Sequence, residues 1–197
     1  MAITNGYCAL SDIKAALRIS DTVDDALLEL AVESASREID SATERQFFQT
    51  SATRIYTPRD SYITETDDIV TVTSIKTSSA ADGNFDVTWQ ANDYQLEPLN
   101  GLAGGVTVPR NFIRAVGDYL FPTSGGEATV QVVGTFGFTA IPTAVKQATV
   151  ILGSRIFKRL DSPLGVAGFG DIGVMRVGKL DPDVEALIMP YKKVRFA

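Results

Sequence analysis

Apolar positions along this chain follow two periods, and the switch between them divides it. The clearest helical stretch is Ile141 to Leu160, IPTAVKQATVILGSRIFKRL, where Val145, Ala148, Leu152, Ile156 and Leu160 recur at steps of three and four. Pro142 suits a first helical position, where its missing N–H would have had no partner. Arg155, Lys158 and Arg159 crowd the last turns, where cations complement the exposed carbonyl ends. Val150, Ile151 and Phe157 lie off the stripe, so the spacing predicts a helix covered by more than one neighbour. Near the start, Ser11 is the expected N-cap of a short helix carrying Ile13 and Leu17. A second helix is expected from Thr22, with Thr22-Val-Asp-Asp25 as a box-like cap. Its stripe is Leu28, Ala31, Val32, Ala35, Ile39 and Ala42, flanked by Val23, Leu27 and Leu30. Small residues at 34–36 and 41–42 predict close packing by another helix, with Pro142–Leu160 the candidate.

From about Thr50 the period changes to two. Arg54–Thr57, Ile69–Thr77, Phe85–Gln90, Phe112–Val116 and Ala128–Thr135 are rich in β-branched and aromatic residues. Asp82-Gly83, Asn100-Gly101, Gly104-Gly105 and Gly125-Gly126 mark turns between them. Short strands at this spacing predict an antiparallel barrel or sandwich. The expected fold class is α+β: a small helical bundle from residues 1–50 and 138–197, with an antiparallel β domain of residues 51–137 inserted in it. Beyond Leu160, Gly165, Gly168, Gly170 and Gly173 belong to a stretch read as a flexible loop. Asp181-Pro182 opens a last short helix that Pro190 ends, before the basic tail Tyr191, Lys192, Lys193, Val194, Arg195 and Phe196.

At 197 residues the chain can bury about 70% of its unfolded surface without needing a disulfide or metal. No apolar run approaches the roughly 20 residues that span a bilayer, and the N-terminus lacks the basic and apolar regions of a signal peptide. The single cysteine, Cys8, fits a reducing compartment, so synthesis in a cytoplasm is expected. The net charge of −6 is uneven: residues 1–50 and 51–140 carry −5 each, and 141–197 carry +4. That polarity suggests a basic C-terminal end offered to an acidic partner, and it is unlike a DNA-binding domain, which is usually basic throughout.

Catalysis finds little to work with. The chain has no histidine, which removes Ser-His and Cys-His nucleophile pairs, the HExxH zinc site and the usual general base near neutral pH. Cys8 has no basic neighbour in sequence to lower its pKa, so it reads as an inert thiol. Gly168-Phe-Gly170-Asp-Ile-Gly173 spells G-x-G-x-x-G, but a helix precedes it where the dinucleotide fingerprint needs a strand. Asp82-Gly-Asn84-Phe-Asp86 imitates a calcium loop with Val87 at the position that needs glycine and Asp93 where a glutamate closes the site, so it reads as a hairpin turn. Asp24-Asp25 reads as cap chemistry and Asp67-Asp68 as a strand-start turn. The expectation is a protein that is not an enzyme, with no cofactor and no metal.

Several quoted segments go further together: TERQFF closing the second helix, Trp89 and DYQLEP in the β region, and GTFGFTAIPTAVKQATVILGSRIFKRLDSPLGVAGF. With Asp181-Pro182 and Pro190-Tyr191 near the end, they resemble the gp6-like head-to-tail adaptors of long-tailed double-stranded DNA phages over nearly the whole chain. The resemblance implies a structural head–tail connector at the head–tail junction of the virion, assembled in the host cytoplasm. It further implies a homo-oligomeric ring, commonly of twelve copies, that binds the portal protein and the next neck or tail protein, passes double-stranded DNA without sequence recognition and involves no membrane. Arg155, Lys158 and Arg159, with the Tyr191–Phe196 tail, are the expected contacts with portal or neighbour; the tail alternatively reads as a frayed terminus. The other readings open from sequence are a stand-alone ligand- or glycan-binding β module on a helical base, and another neck or tail-completion protein.

Overall fold

A computed structural model of the chain describes residues 2–103, 105–123, 127–159 and 181–193. It separates into two units, Met1–Glu44 with Ile141–Ala197, and Arg45–Ala140.

In the first unit the helices are α1 (Leu10–Leu17), α2 (Asp25–Thr43), α3 (Thr143–Lys158) and α4 (Pro182–Ile188), the last followed by a 3₁₀ turn, Met189–Tyr191. Three starts differ from expectation, each for a local reason. Ser11 lies inside α1; Ala9 is the N-cap, and its N–H donates to Asp12 Oδ2 at 2.8 Å, the reciprocal half of a capping box. Asp24 rather than Thr22 caps α2, and the acid expected to close the Thr22 box, Asp25, is instead 2.5 Å from Lys14 Nζ. Pro142 is the N-cap of α3, in extended conformation, rather than its first helical residue. At α4 the reading holds: Asp181 accepts from the Asp183 N–H at 3.0 Å, with Pro182 in the first turn.

The expected stripes face inward. Leu28, Ala31, Val32, Ala35 and Ile39 of α2 are buried, as are Val145, Ala148 and Leu152 of α3, and each fully buried Leu, Ile or Val contributes about 1.5–3 kcal/mol. Helix α3 packs on α1, α2 and α4, so its off-stripe residues also find cover. Val150 and Phe157 join the cluster of Cys8, Ile13, Leu28 and Val32. Of the small residues expected to admit another helix, Ala35 and Ser36 are buried, whereas Ser34 and Ser41 face solvent, and the close approach is made by a glycine of α3. A Cβ on Gly153 would sit 3.0 Å from Ile13 Cδ1 and 3.7 Å from the Ala31 carbonyl oxygen, so glycine here permits the close approach of α1 and α2. The buried hydroxyls of Ser36, Thr43 and Thr149 donate to the carbonyls of Val32, Ile39 and Val145 one turn back, so none is left unsatisfied.

The second unit holds strands β1 (Thr50–Tyr56), β2 (Ile63–Thr77), β3 (Val87–Trp89), β4 (Tyr94–Glu97), β5 (Leu102–Ala103), β6 (Val106–Thr107), β7 (Arg110–Ala115) and β8 (Val130–Phe136). An antiparallel six-stranded sheet runs β1-β8-β2-β7-β4 with β3 also on β2, and β5–β6 form a separate ribbon. Together with the helices this is the α+β class the sequence predicts. The long β2 changes partners along its length, from β7 over its first part to β8 and β3 over its second, with register shifts between Glu65 and Ile69 and again before Thr71 and Ser74. Such bulges bend a strand and sharpen its twist. Its alternating neighbour β8 buries Val130, Val132 and Phe136, which meet Ile69, Ile75, Ile113, Trp89 and Phe121 in one core. The Trp89 indole N–H donates to Thr77 Oγ1 at 3.0 Å, and its ring stacks on Phe121 with centroids 4.6 Å apart.

Two β-region expectations need correction. Strands β4, β5 and β6 went unpredicted, because each is two to four residues long and lies outside the β-branched and aromatic runs. Asp67-Asp68 is not a strand-start turn: β2 begins at Ile63, and the pair lies inside it, where the register shifts. The calcium-like stretch is the β2–β3 connection, where Asp82 accepts from Ser78 Oγ and the Asn84 N–H, and Asp86 from the N–H and Oγ of Ser79.

Candidate functional site

The expected contact residues divide into those that serve their own subunit and those left facing solvent. Arg155 is half-buried and lies 3.5 Å from Asp181 Oδ2, so it ties α3 to the cap of α4. Tyr191 is buried, and the backbone N–H of Lys193 donates to the Thr43 carbonyl at 2.9 Å, which pins the segment after α4 to the end of α2. Neither Arg155 nor Tyr191 is therefore a side chain displayed to a neighbour. Lys158, Arg159 and Lys192 are exposed, and Lys158 and Arg159 make no ion pair among the described residues. Val194, Arg195 and Phe196, and the loop glycines Gly165, Gly168, Gly170 and Gly173, lie outside the described residues.

The segments that carried the resemblance converge at one place that sequence spacing does not reveal. TERQFF supplies Arg45 and Phe47; GTFGFT supplies Phe136, Gly137 and Phe138. Phe47 and Phe138 are both buried, with ring centroids 4.6 Å apart. Arg45 and Asp68, 9% and 6% exposed, form a buried ion pair, and the Asp68 carbonyl accepts from the Gly137 N–H at 2.8 Å. At this junction the charges are paired and the rings packed.

Among the described residues no cluster of three or more His, Cys, Asp or Glu could hold a metal ion, and no helix is long and apolar enough to cross a membrane. Cys8 is buried, and that burial, helped by Asp12, pushes its thiol up to about 11. Ellman's reagent at pH 8 is expected to leave it unmodified in the native protein and to react promptly in urea; comparable rates in both states would refute the buried assignment.

Comparison with known proteins finds similarity both to a sequence family and to solved structures. Residues 7–81, which span α1, α2, β1 and β2, match the sequence profile of the phage gp6-like head-tail connector protein family. No curated protein matches the chain by sequence. Among solved structures, a chain of the neck of an empty GTA particle, computed with C6 symmetry, is 20% identical with a TM-score of 0.60, the alignment covering all of this chain and 95% of that one. A chain of the neck of a native GTA particle with C12 symmetry is 18% identical with a TM-score of 0.58, covering 100% and 94%. A chain from the virion of a native gene transfer agent particle is 21% identical at 0.53, covering 100% and 95%. At these identities the likeness establishes a shared fold, and it extends over the whole chain. Its helical start and first two strands are thus similar in sequence to the phage gp6-like head–tail connector proteins, and its whole length shares the fold of the GTA neck chains.

Proposed function

We propose that the chain is a structural connector that forms a ring at the head–tail junction of a phage or phage-like particle, joining the portal to the next neck or tail protein around the path of the DNA. The observation that carries this reading is the connector-family match over residues 7–81. The neck chains that share the full-length fold come from GTA necks computed with C6 and C12 symmetry, which supports a cyclic assembly and, for this chain, a ring of twelve. The acidic balance of residues 1–140 suits a wall past which DNA slides, since a basic lumen would bind phosphates and release counterions. Lys158, Arg159 and Lys192 remain as exposed cations for an acidic partner.

The test is genetic. A particle-forming phage lacking this gene is expected to accumulate DNA-filled heads without tails, and supplying the wild-type chain should restore joining. Tail-joined, infectious particles in the absence of the chain would overturn the reading. The docking role of the tail is tested by removing residues 194–197 only, because a longer cut would take the Lys193 bond to Thr43 and then the buried Tyr191. The short truncation should fold normally and join heads poorly.

A further inference from the structure

Helix α2 buries one face and leaves large apolar residues on the other. Leu27 and Leu30 on its first turns are 45% and 52% exposed, and Val23, just before the N-cap, is 85% exposed, with exposed Ala26 between them. Isolated exposed leucines are ordinary, but a group of this kind on adjoining turns marks a contact surface. The exposed positions continue along the helix as Ser34, Arg37 and Ser41, at alternating steps of three and four from Leu27, so the face is one straight seam. Asp21 is exposed and Asp24 half-exposed at its start, and Lys14 is occupied by Asp25 and the Asp21 carbonyl.

The complementary surface lies on the same unit. Phe47, just past α2, touches Phe138, just before α3, so the C-terminus of α2 and the N-terminus of α3 are neighbours. Farther along, Gly153 lies against Ala31, and Phe157 joins the cluster of Leu28 and Val32, so the two helices run antiparallel. The basic end of α3, Lys158 and Arg159, therefore lies at the same pole of the unit as the apolar start of α2. A cyclic ring joins two different faces of identical subunits by rotation alone, with no shift along the axis. An apolar seam edged with acid and a basic helix end at one height meet that condition.

We infer that the start of α2, Val23, Leu27 and Leu30 with Asp21 and Asp24, docks against the Lys158–Arg159 end of α3 on the adjacent copy of this chain. The inference rests on the ring reading above, and its test is arranged so that the two can fail separately. In a phage deleted for the gene, wild-type chain must first restore infectivity; failure there removes the connector reading itself. With that control met, Leu27→Glu/Leu30→Glu is expected to give a chain with unchanged helical circular dichroism whose rescue of infectivity falls by roughly a hundredfold or more, because charge is placed in an interface core. Full rescue by that variant overturns the inference and leaves the connector reading standing. A second arm reads the contact directly. Leu27→Cys/Lys158→Cys, in assembled particles under oxidation, should give a ladder of covalently linked copies, with the buried Cys8 contributing nothing. Joined particles without a ladder place the subunit contact elsewhere and also overturn it.

Discussion

Gly137→Ala should destabilise the β unit by about 3 kcal/mol or more, adding an overpacked contact to a backbone conformation that an L side chain rarely adopts. Gly137 has φ +112°, and a Cβ placed there would lie 2.2 Å from the Phe48 carbonyl oxygen and 2.9 Å from its carbon. Those atoms are backbone, held between buried Phe47 and strand β1, so they cannot swing aside as the end of a side chain would. Shifting Gly137 itself would strain its 2.8 Å N–H bond to the Asp68 carbonyl. Trp89, the single tryptophan, is buried in the same unit and reports unfolding by fluorescence. At about 2–8 °C per kcal/mol, the midpoint should fall by roughly 10 °C. Gly83→Ala is the control: its φ is also positive, +79°, but nothing lies within 4 Å of the added Cβ, so its effect should be clearly smaller. Equal effects at the two sites would show that conformation alone, and not the approach to Phe48, accounts for the loss.

This glycine also shows where sequence reading stops. The helices were legible because their buried faces obey a single period over many turns: Leu28 to Ile39 and Val145 to Leu152 are where spacing puts them. Their starts were less legible, since Ser11 and Thr22 are good capping residues that lost to acids placed beside them. Asp12 reached back to the Ala9 N–H, and Asp25 was drawn to Lys14. The longer strands and β3 announced themselves through β-branched and aromatic runs, whereas the short β4, β5 and β6 lie outside any such run. Among the expected contact residues, Arg155 and Tyr191 looked like part of a basic, displayed end because spacing carries no record of Asp181 or of what covers a ring from another helix. The exposed start of α2 was visible only as residues flanking a stripe; which of them turn outward follows from where Asp24 ends the cap. The Gly-Phe segment stood out in the sequence, but the reason for it, a carbonyl of Phe48 on a distant strand entrance, is a long-range fact.

Asp68→Asn tests the other long-range contact at that junction, and its loss should cost about 3–5 kcal/mol, the usual penalty for leaving one partner of a buried pair without the other. Arg45 and Asp68 are separated in sequence by the whole of β1 and the first part of β2, and each is at least nine-tenths buried. Burial is what gives the pair its leverage: an exposed pair is worth about 0–1 kcal/mol, as expected for Lys146 and Asp12, 2.8 Å apart but 48% and 28% exposed. Asparagine keeps the shape and one acceptor of aspartate, so packing is preserved and the change isolates the charge. The Asp68 backbone carbonyl still accepts from Gly137, which separates this effect from that of the glycine. Urea unfolding followed through Trp89 gives the number. The double variant Arg45→Met/Asp68→Leu discriminates between two accounts of a loss, because replacing both charges with apolar groups should return much of the stability if the cost is an uncompensated guanidinium. If the single variant loses less than about 1 kcal/mol, the pair contributes no more than a surface bridge, and the packing of Phe47 on Phe138 matters more to the junction than its charges.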